Sequence, residues 1–285
     1  MRSIPNGVYP TMITPYTDDN KLDFGAVERL LNWYHENGIT GVFAVCQSSE
    51  MWFLSFEERL ELMKFIVDHK PDGMTVVASG HTAEDLDRQV YESNAFIDTG
   101  IDAYVFLSNR FAKPEENDDI LLKNLDYVVS RIPEIGLGIY ECPYPYKRLV
   151  TPKILDWALS TGRFYYMKDT CCDPAQIKEK LEAVQGSNLK IFNANAATLL
   201  ETLQLGCAGF SGIMANFFPD LCVNLCNCFE TDPVRAKKLQ DFIGFSSMAE
   251  VSEEAARNVL KAATENAVFM DTRINNLFPI THLNT

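Results

Sequence analysis

One rhythm constrains this chain more than any other feature: a short apolar run, then a segment with helical spacing, repeated eight times. "GVYPTMITP" reads as the first strand. The helix after it has Asp23 at its N-cap, Val27, Leu30, Leu31 and Tyr34 on one face, and Gly38 as its stop. "GVFAVCQ" is the second strand, and Ser55-x-x-Glu58 is a capping box for a helix running through Leu60, Met63 and Val67 to Pro71. "TVVASGH" precedes a helix from Thr82 to Gly100, and "AYVFLSN" a helix around Leu121 to Val129. "GLGIYEC", "FYYMKDT" and "LKIFNAN" lead into helices at Pro152 to Leu159, Pro174 to Val184 and Ala197 to Leu205. "GFSGIMAN" is the eighth strand, and the chain reads as helix after Pro219.

Eight strand–helix units within about 220 residues predict an α/β fold of the (β/α)8 TIM-barrel type. A doubly wound sheet with a dinucleotide site would need a G-x-G-x-x-G turn after the first strand, and "PTMITPYTDDN" has no glycine. No Pro/Ser-rich linker or charge block interrupts the chain. A single domain over residues 1–285 is therefore expected, with the barrel over 1–220 and a C-terminal helical extension over 221–285.

Composition removes several function classes. The net charge of −14 leaves no basic stripe to follow phosphates, so nucleic acid is excluded as a partner, whereas a small anion in a locally positive pocket is not. No run of 18 apolar residues predicts a membrane span. "MRSIPNGVYP" lacks the apolar core of a signal peptide, so a cytoplasmic location and reduced thiols are expected for the eight cysteines. Cys222, Cys226 and Cys228 lack a neighbouring histidine or second CxxC, and read as thiols on a helix face rather than as metal ligands.

In this architecture chemistry sits at the C-terminal ends of the strands. The residues there are Cys46, Gln47, Ser48 and Glu50; Gly80 and His81; Ser108 and Asn109; Tyr140 and Glu141; Lys168 and Asp169; Asn193 and Asn195; Ser211 and Asn216. Most have plain structural readings. Asn193 and Asn195 suit helix caps, Glu50 suits a loop ion pair, and His81 reads as a surface or capping residue rather than a base.

Lys168 differs because it ends the apolar run "FYYM" inside a strand. Facing inward, it loses hydration, which lowers its pKa from about 10.4 and favours the neutral amine, the nucleophile that attacks a ketone to form a Schiff base. Facing outward, it would pair with a helix carboxylate. Tyr140 ends the preceding strand, about 4.8 Å away across the sheet, and can face the same cavity at nearly the same height. Its hydroxyl there can shuttle protons to the carbinolamine and the substrate oxygen.

The chain resembles the N-acetylneuraminate lyase / dihydrodipicolinate synthase family of Schiff-base-forming pyruvate aldolases. "GVYPTMITPYTDDNKLD" resembles the family's opening strand and loop. "GITGVFAVCQSSEMWFLSFEER" resembles its Gly-Thr-Thr-Gly-Glu segment followed by Leu-Ser-x-x-Glu-Arg; "YECP" resembles its Tyr-Asn-Val-Pro, and "YYMKDT" carries its Lys-Asp. The resemblance implies a class I carbon–carbon lyase that cleaves or condenses a 2-oxo acid such as pyruvate, with the imine on Lys168 and Tyr140 as proton shuttle. It further implies that Gln47 and Ser48 hold the pyruvate carboxylate, that Ser211 lies beside the imine, and that the assembly is a homo-oligomer, a dimer or tetramer. Neither metal nor cofactor is implied. Two alternatives remain: a 2-keto-3-deoxy sugar acid dehydratase using the same imine, and a barrel that binds a 2-oxo acid without turnover.

Departures from the family pattern narrow the substrate. Gly-Thr-Thr-Gly-Glu is Cys46-Gln47-Ser48-Ser49-Glu50, so the loop must do without both glycines. "SNRF" resembles Pro-Pro-Tyr-Tyr, with Phe111 in place of the second tyrosine. Pro145 stands where the synthases place a carboxylate-gripping arginine, with Lys147 and Arg148 as nearby substitutes. Asn195 and Ala196 stand where the sialic-acid lyases read sugar hydroxyls with acidic residues. No glycine-rich phosphate cup follows strands seven or eight, which disfavours a phosphorylated substrate.

Overall fold

The stripe that follows Asp23 forms the first helix, α1 (Phe24–Glu36). The Asp23 carboxylate accepts the Ala26 N–H, and Ala26, Val27, Leu30, Leu31 and Tyr34 are buried beneath it. The computed structural model describes residues 3–247, and the remainder of the expected 221–285 extension lies outside the described residues. In chain order, α1 lies between β1 (Gly7–Val8) and β2 (Gly41–Ala44). Then come α2 (Phe56–His69), β3 (Thr75–Ala78), α3 (Leu86–Ile97), β4 (Ala103–Leu107), α4 (Asp118–Val129), β5 (Gly136–Tyr140) and α5 (Pro152–Ser160). The rest comprises β6 (Phe164–Asp169), α6 (Pro174–Ala183), β7 (Lys190–Asn193), α7 (Leu199–Leu205), β8 (Gly209–Phe210), α8 (Pro219–Cys228) and α9 (Pro233–Ser247).

Every strand pair is parallel, in the order β1-β8-β7-β6-β5-β4-β3-β2. Bonds from Phe43 N–H to Pro10 O (2.9 Å) and from Met12 N–H to Phe43 O (3.0 Å) close the sheet into a barrel. Closure on the other side of β1 requires Gly209, where a Cβ would lie 1.8 Å from the Gly7 carbonyl oxygen. Tyr9, Phe43, Tyr166 and Phe192 fill the lumen, with Tyr166 stacked on Phe192 at 4.8 Å and edge-on to Tyr9 at 5.8 Å. Their bulk makes the lumen a packed core with chemistry only at its mouth.

The capping box at α2 is present in both directions, Ser55 N–H to Glu58 Oε2 at 2.8 Å and Glu58 N–H to Ser55 Oγ at 3.1 Å. Its buried face is Arg59, Leu62, Met63 and Ile66, one step round from the expected Leu60 and Val67. Arg59 can occupy that face because Gly80 O, Thr82 Oγ1 and Glu92 receive its guanidinium. The same contacts move the start of α3 from the expected Thr82 to Leu86. Thr82 serves Arg59 through its hydroxyl and Glu92 through its N–H, leaving Asp85 to cap the helix by accepting the Arg88 N–H at 2.8 Å. Cys222, Cys226 and Cys228 lie on α8 as free thiols, Cys222 buried and the other two partly so. Among the described residues, no helix is long and apolar enough to cross a membrane.

Candidate active site

Strand alternation resolves the Lys168–Asp169 pair. Tyr166 and Lys168 project into the barrel, while Asp169 projects outward to Lys180 on α6. Lys168 is 5% exposed, with Nζ 4.2 Å from the Tyr140 ring centre and 5.6 Å from that of Phe43. Tyr140 and Lys168 are register partners across β5 and β6, so amine and phenol share one level at the C-terminal mouth. Tyr140 is 3% exposed, and burial, reinforced by the neighbouring Cys142 and Cys46 thiols, holds its pKa well above the usual phenol range. At neutral pH it is a proton donor.

The segment after β2 forms a 3-10 turn, Gln47–Ser49, and manages without the two glycines. Cys46 is extended (φ −108°, ψ −168°), while the left-handed residues are its neighbours Val45 (φ 44°) and Glu50 (φ 58°). A β-branched residue at positive φ is strained, and here the surrounding hydrogen bonds fix it. Ser49 Oγ donates to Met12 O (2.6 Å) and accepts the Cys46 N–H (3.1 Å), and Thr14 Oγ1 donates to Ser49 O (2.7 Å). Ser48 Oγ donates to Thr11 Oγ1 at 3.1 Å, and Gln47 Oε1 accepts from the Cys142 thiol at 3.2 Å, joining this turn to the end of β5. Ser211 Oγ accepts the Tyr166 hydroxyl at 2.7 Å, two residues below Lys168 on the inner face of β6. Asn195 caps the turn before α7 as expected, accepting the Ala197 N–H. Asn193 instead donates to Asn195 O, Thr198 and Thr202.

With this geometry in view, the Dihydrodipicolinate synthetase family model matches residues 4–267. The chain belongs to that family. Among its relatives, the 4-hydroxy-tetrahydrodipicolinate synthase of Methanocaldococcus jannaschii is 26% identical over 238 residues, covering 82% of this chain and 78% of the relative. An uncharacterized DapA-like lyase of Chloroflexus aurantiacus is 24% identical over 220 residues, covering 76% of this chain and 72% of the relative. Among solved structures, a prophage protein of the dihydrodipicolinic acid synthase family from E. coli K12, in complex with pyruvate, superposes with a TM-score of 0.80 at 20% identity. That match covers 91% of this chain and 87% of the other. The Ruminococcus gnavus sialic acid aldolase superposes at 0.78 and 17% identity, over 87% and 81% of the two chains.

Several residues depart from the dihydrodipicolinate synthetase family pattern in ways the structure makes concrete. Phe111 is buried and packs on Phe106 and His81. Of the two substitutes beside Pro145, Arg148 is committed elsewhere. It pairs with Asp118 at 2.9 Å and donates to the carbonyls of Lys113 and Glu116, which fastens the loop to the start of α4. Lys147 stays at the mouth, its Nζ donating to Thr170 O at 2.7 Å. Asn109 holds the same loop by donating to the carbonyls of Cys142, Tyr144 and Tyr146.

His81 is neither a surface residue nor a cap. It is fully buried among Tyr104, Phe106 and Phe111, and its Nε2 accepts the Leu107 N–H at 2.8 Å, which places the proton on Nδ1. Burial and then Arg110 lower its pKa to about 3. The unfolded chain therefore binds the proton first, and the stability that neutral His81 supports is full above about pH 6.5 and falls away as pH drops toward the folded value. In His81→Gln, urea unfolding is expected to show about 2 kcal/mol less loss of stability between pH 7 and pH 5 than in the wild type. Equal losses would mean that another group sets the acid limb.

Cys142 and Lys180 went unnoticed in the sequence. Cys142 follows the "YE" of strand five, but only folding brings its thiol to Gln47; Lys180 is one of two lysines on α6. Among the described residues, Glu141, Asp169 and Cys171 place ligand-type atoms within 4.8 Å of one another. The cationic position between the two carboxylates is taken by Lys180, 2.5 Å from each, and burial pushes the Cys171 thiol up to about 12.

Proposed function

We propose that this family member is a class I aldolase that cleaves or condenses a 2-oxo acid through an imine on Lys168. The observation that carries the proposal is the buried Lys168 amine 4.2 Å from the Tyr140 ring at the barrel mouth. Loss of hydration favours the neutral amine, while the aromatic faces of Tyr140 and Phe43 offset part of that by attracting the cation. Attack of neutral Nζ on the ketone carbon forms a C–N bond and leaves an alkoxide, which takes the Tyr140 proton to give the carbinolamine. The Tyr140 phenolate recovers a proton from the newly bonded NH2+ nitrogen and passes it to the carbinolamine hydroxyl, which departs as water as the C=N bond forms. The protonated imine then draws electrons from the adjacent carbon: the Tyr140 phenolate takes the proton of the hydroxyl one carbon further on, and the C–C bond between those two carbons breaks to an enamine and aldehyde, or forms by the reverse.

Gln47 and Ser48, opening the 3-10 turn, are assigned the substrate carboxylate, and Ser211 supports the lumen face through Tyr166. The pyruvate complex of the E. coli K12 family protein supports pyruvate as the 2-oxo acid. With Arg148 held by Asp118 and Pro145 apolar, Lys147 is the mouth cation available to a second substrate.

Borohydride reduction with pyruvate tests the proposal. One reduced-pyruvate adduct on the peptide containing Lys168 is expected by mass spectrometry, and an unchanged rate with chelator present. Phe111, which carries no hydroxyl for a relay, favours the second reading of a 2-oxo acid binder without turnover. Folded protein that yields no adduct in excess pyruvate would decide for it.

A further inference from the structure

The outward sides of the same two strand ends carry a second constellation. Glu141 follows Tyr140 and Asp169 follows Lys168, so alternation turns both carboxylates away from the lumen toward α6. There one ammonium meets both: Lys180 Nζ donates to Glu141 Oε1 and to Asp169 Oδ2, each at 2.5 Å. All three side chains are buried. Val150 N–H adds a bond to Glu141 Oε1 (2.8 Å), and backbone satisfies the two remaining oxygens: Thr170 N–H to Glu141 Oε2 (2.9 Å) and Cys171 N–H to Asp169 Oδ1 (2.9 Å).

We propose that Lys180 is a positioning residue, which clamps the carboxylate beside Tyr140 to the carboxylate beside Lys168 and so fixes the relative height of phenol and amine inside the barrel. The inference rests on the imine reading above. The register of β5 and β6 ends at the Tyr140–Lys168 pair, and the next backbone bond, Glu141 N–H to Lys168 O, is 3.3 Å long. Beyond that point the side-chain clamp and the Thr170 hydroxyl on Glu141 O (2.6 Å) hold the strands together. Among its ten residues α6 buries only Ile177 and Lys180, so half of its buried face is spent on a charge. Hydrophobes in place of all three charged side chains would pack at no desolvation cost, which points to a use for the cluster other than stability. The ammonium of the clamp is secure. The two carboxylates hold the Lys180 ammonium above its ordinary pKa against the effect of burial, while burial and Asp169 push Glu141 upward.

The test uses the full chain, with pyruvate as probe and the rate of borohydride-trapped adduct on Lys168 as readout. Lys180→Met is expected to keep a native circular dichroism spectrum and to lower the maximal trapping rate about tenfold or more. The pyruvate concentration for half-maximal rate should move by less than about threefold, because the proposed carboxylate cradle lies on the β2 turn, away from the clamp. A folded Lys180→Met that traps at the wild-type rate overturns the inference and leaves the imine reading standing. Absence of any adduct on wild-type Lys168 removes both. Where Lys180→Met does not fold, Lys180→Ala prepared in propylammonium takes its place, with wild type in the same amine as control. Withdrawal of the amine is then expected to slow trapping before the fold is lost, and parallel loss of trapping and fold overturns the inference.

Discussion

Lys168→Met is expected to abolish turnover, by about four orders of magnitude or more, and to yield no borohydride adduct. The reasoning is chemical. Among the described residues no other amine is placed beside Tyr140 in the lumen, and a thioether cannot form an imine. Methionine has nearly the same length and fits between Phe43 and Tyr140, so a native circular dichroism spectrum is expected. That separation matters, since a variant that is inactive because it is unfolded would say nothing. Lys168→Arg sharpens the result, because a guanidinium keeps a nitrogen base over the Tyr140 ring but stays protonated and cannot attack a carbonyl. Steady-state activity beside circular dichroism checks both. Activity within about a hundredfold of wild type in either variant would show that the chemistry does not pass through this amine.

How much of this was legible in the residues themselves follows from the range of the forces involved. The barrel was legible because alternation, capping boxes and stop signals are local: Asp23, Ser55 and Glu58 act within one turn of helix. The inward direction of Lys168 was half legible. Strand parity predicts that Lys168 and Asp169 face opposite ways, but not which one faces in. The lumen partners Phe43 and Tyr140 decide it, and Phe43 comes from the far side of the barrel.

What stayed hidden depended on contacts between distant segments. Arg59 interrupts an apolar stripe and so disguises the buried face of α2; its partners Gly80, Thr82 and Glu92 come from two later elements. His81 looks like a loop residue until Tyr104, Phe106 and Phe111 close over it. The missing glycines of the Cys46–Glu50 turn gave a true signal with the wrong location. The left-handed backbone is still required, but it has moved to Val45 and Glu50 on either side. Lys180 had no signal at all, since a lysine on a helix looks solvated until two carboxylates from neighbouring strands are found beneath it.

Tyr140→Phe is expected to lower kcat about a hundred- to a thousandfold, with KM for the 2-oxo acid little changed. Phenylalanine preserves the ring under Lys168 and the edge contact with Phe43 at 5.4 Å, so amine placement and lumen packing survive. Only the hydroxyl proton is lost, and with it the group that neutralises the alkoxide of the carbinolamine and, later, the oxygen released or captured at the scissile bond. Because burial holds the phenol well above its ordinary pKa, wild-type activity should show no alkaline fall from Tyr140 ionisation below about pH 10. The variant's deficit should therefore be uniform across the neutral range rather than confined to one limb. Measured kcat profiles from pH 6 to pH 9 decide the point. A deficit that vanishes at one end would mean that a second titrating group carries the proton there instead; the Cys142 thiol beside Tyr140 is not that group, because burial pushes it up to about 11.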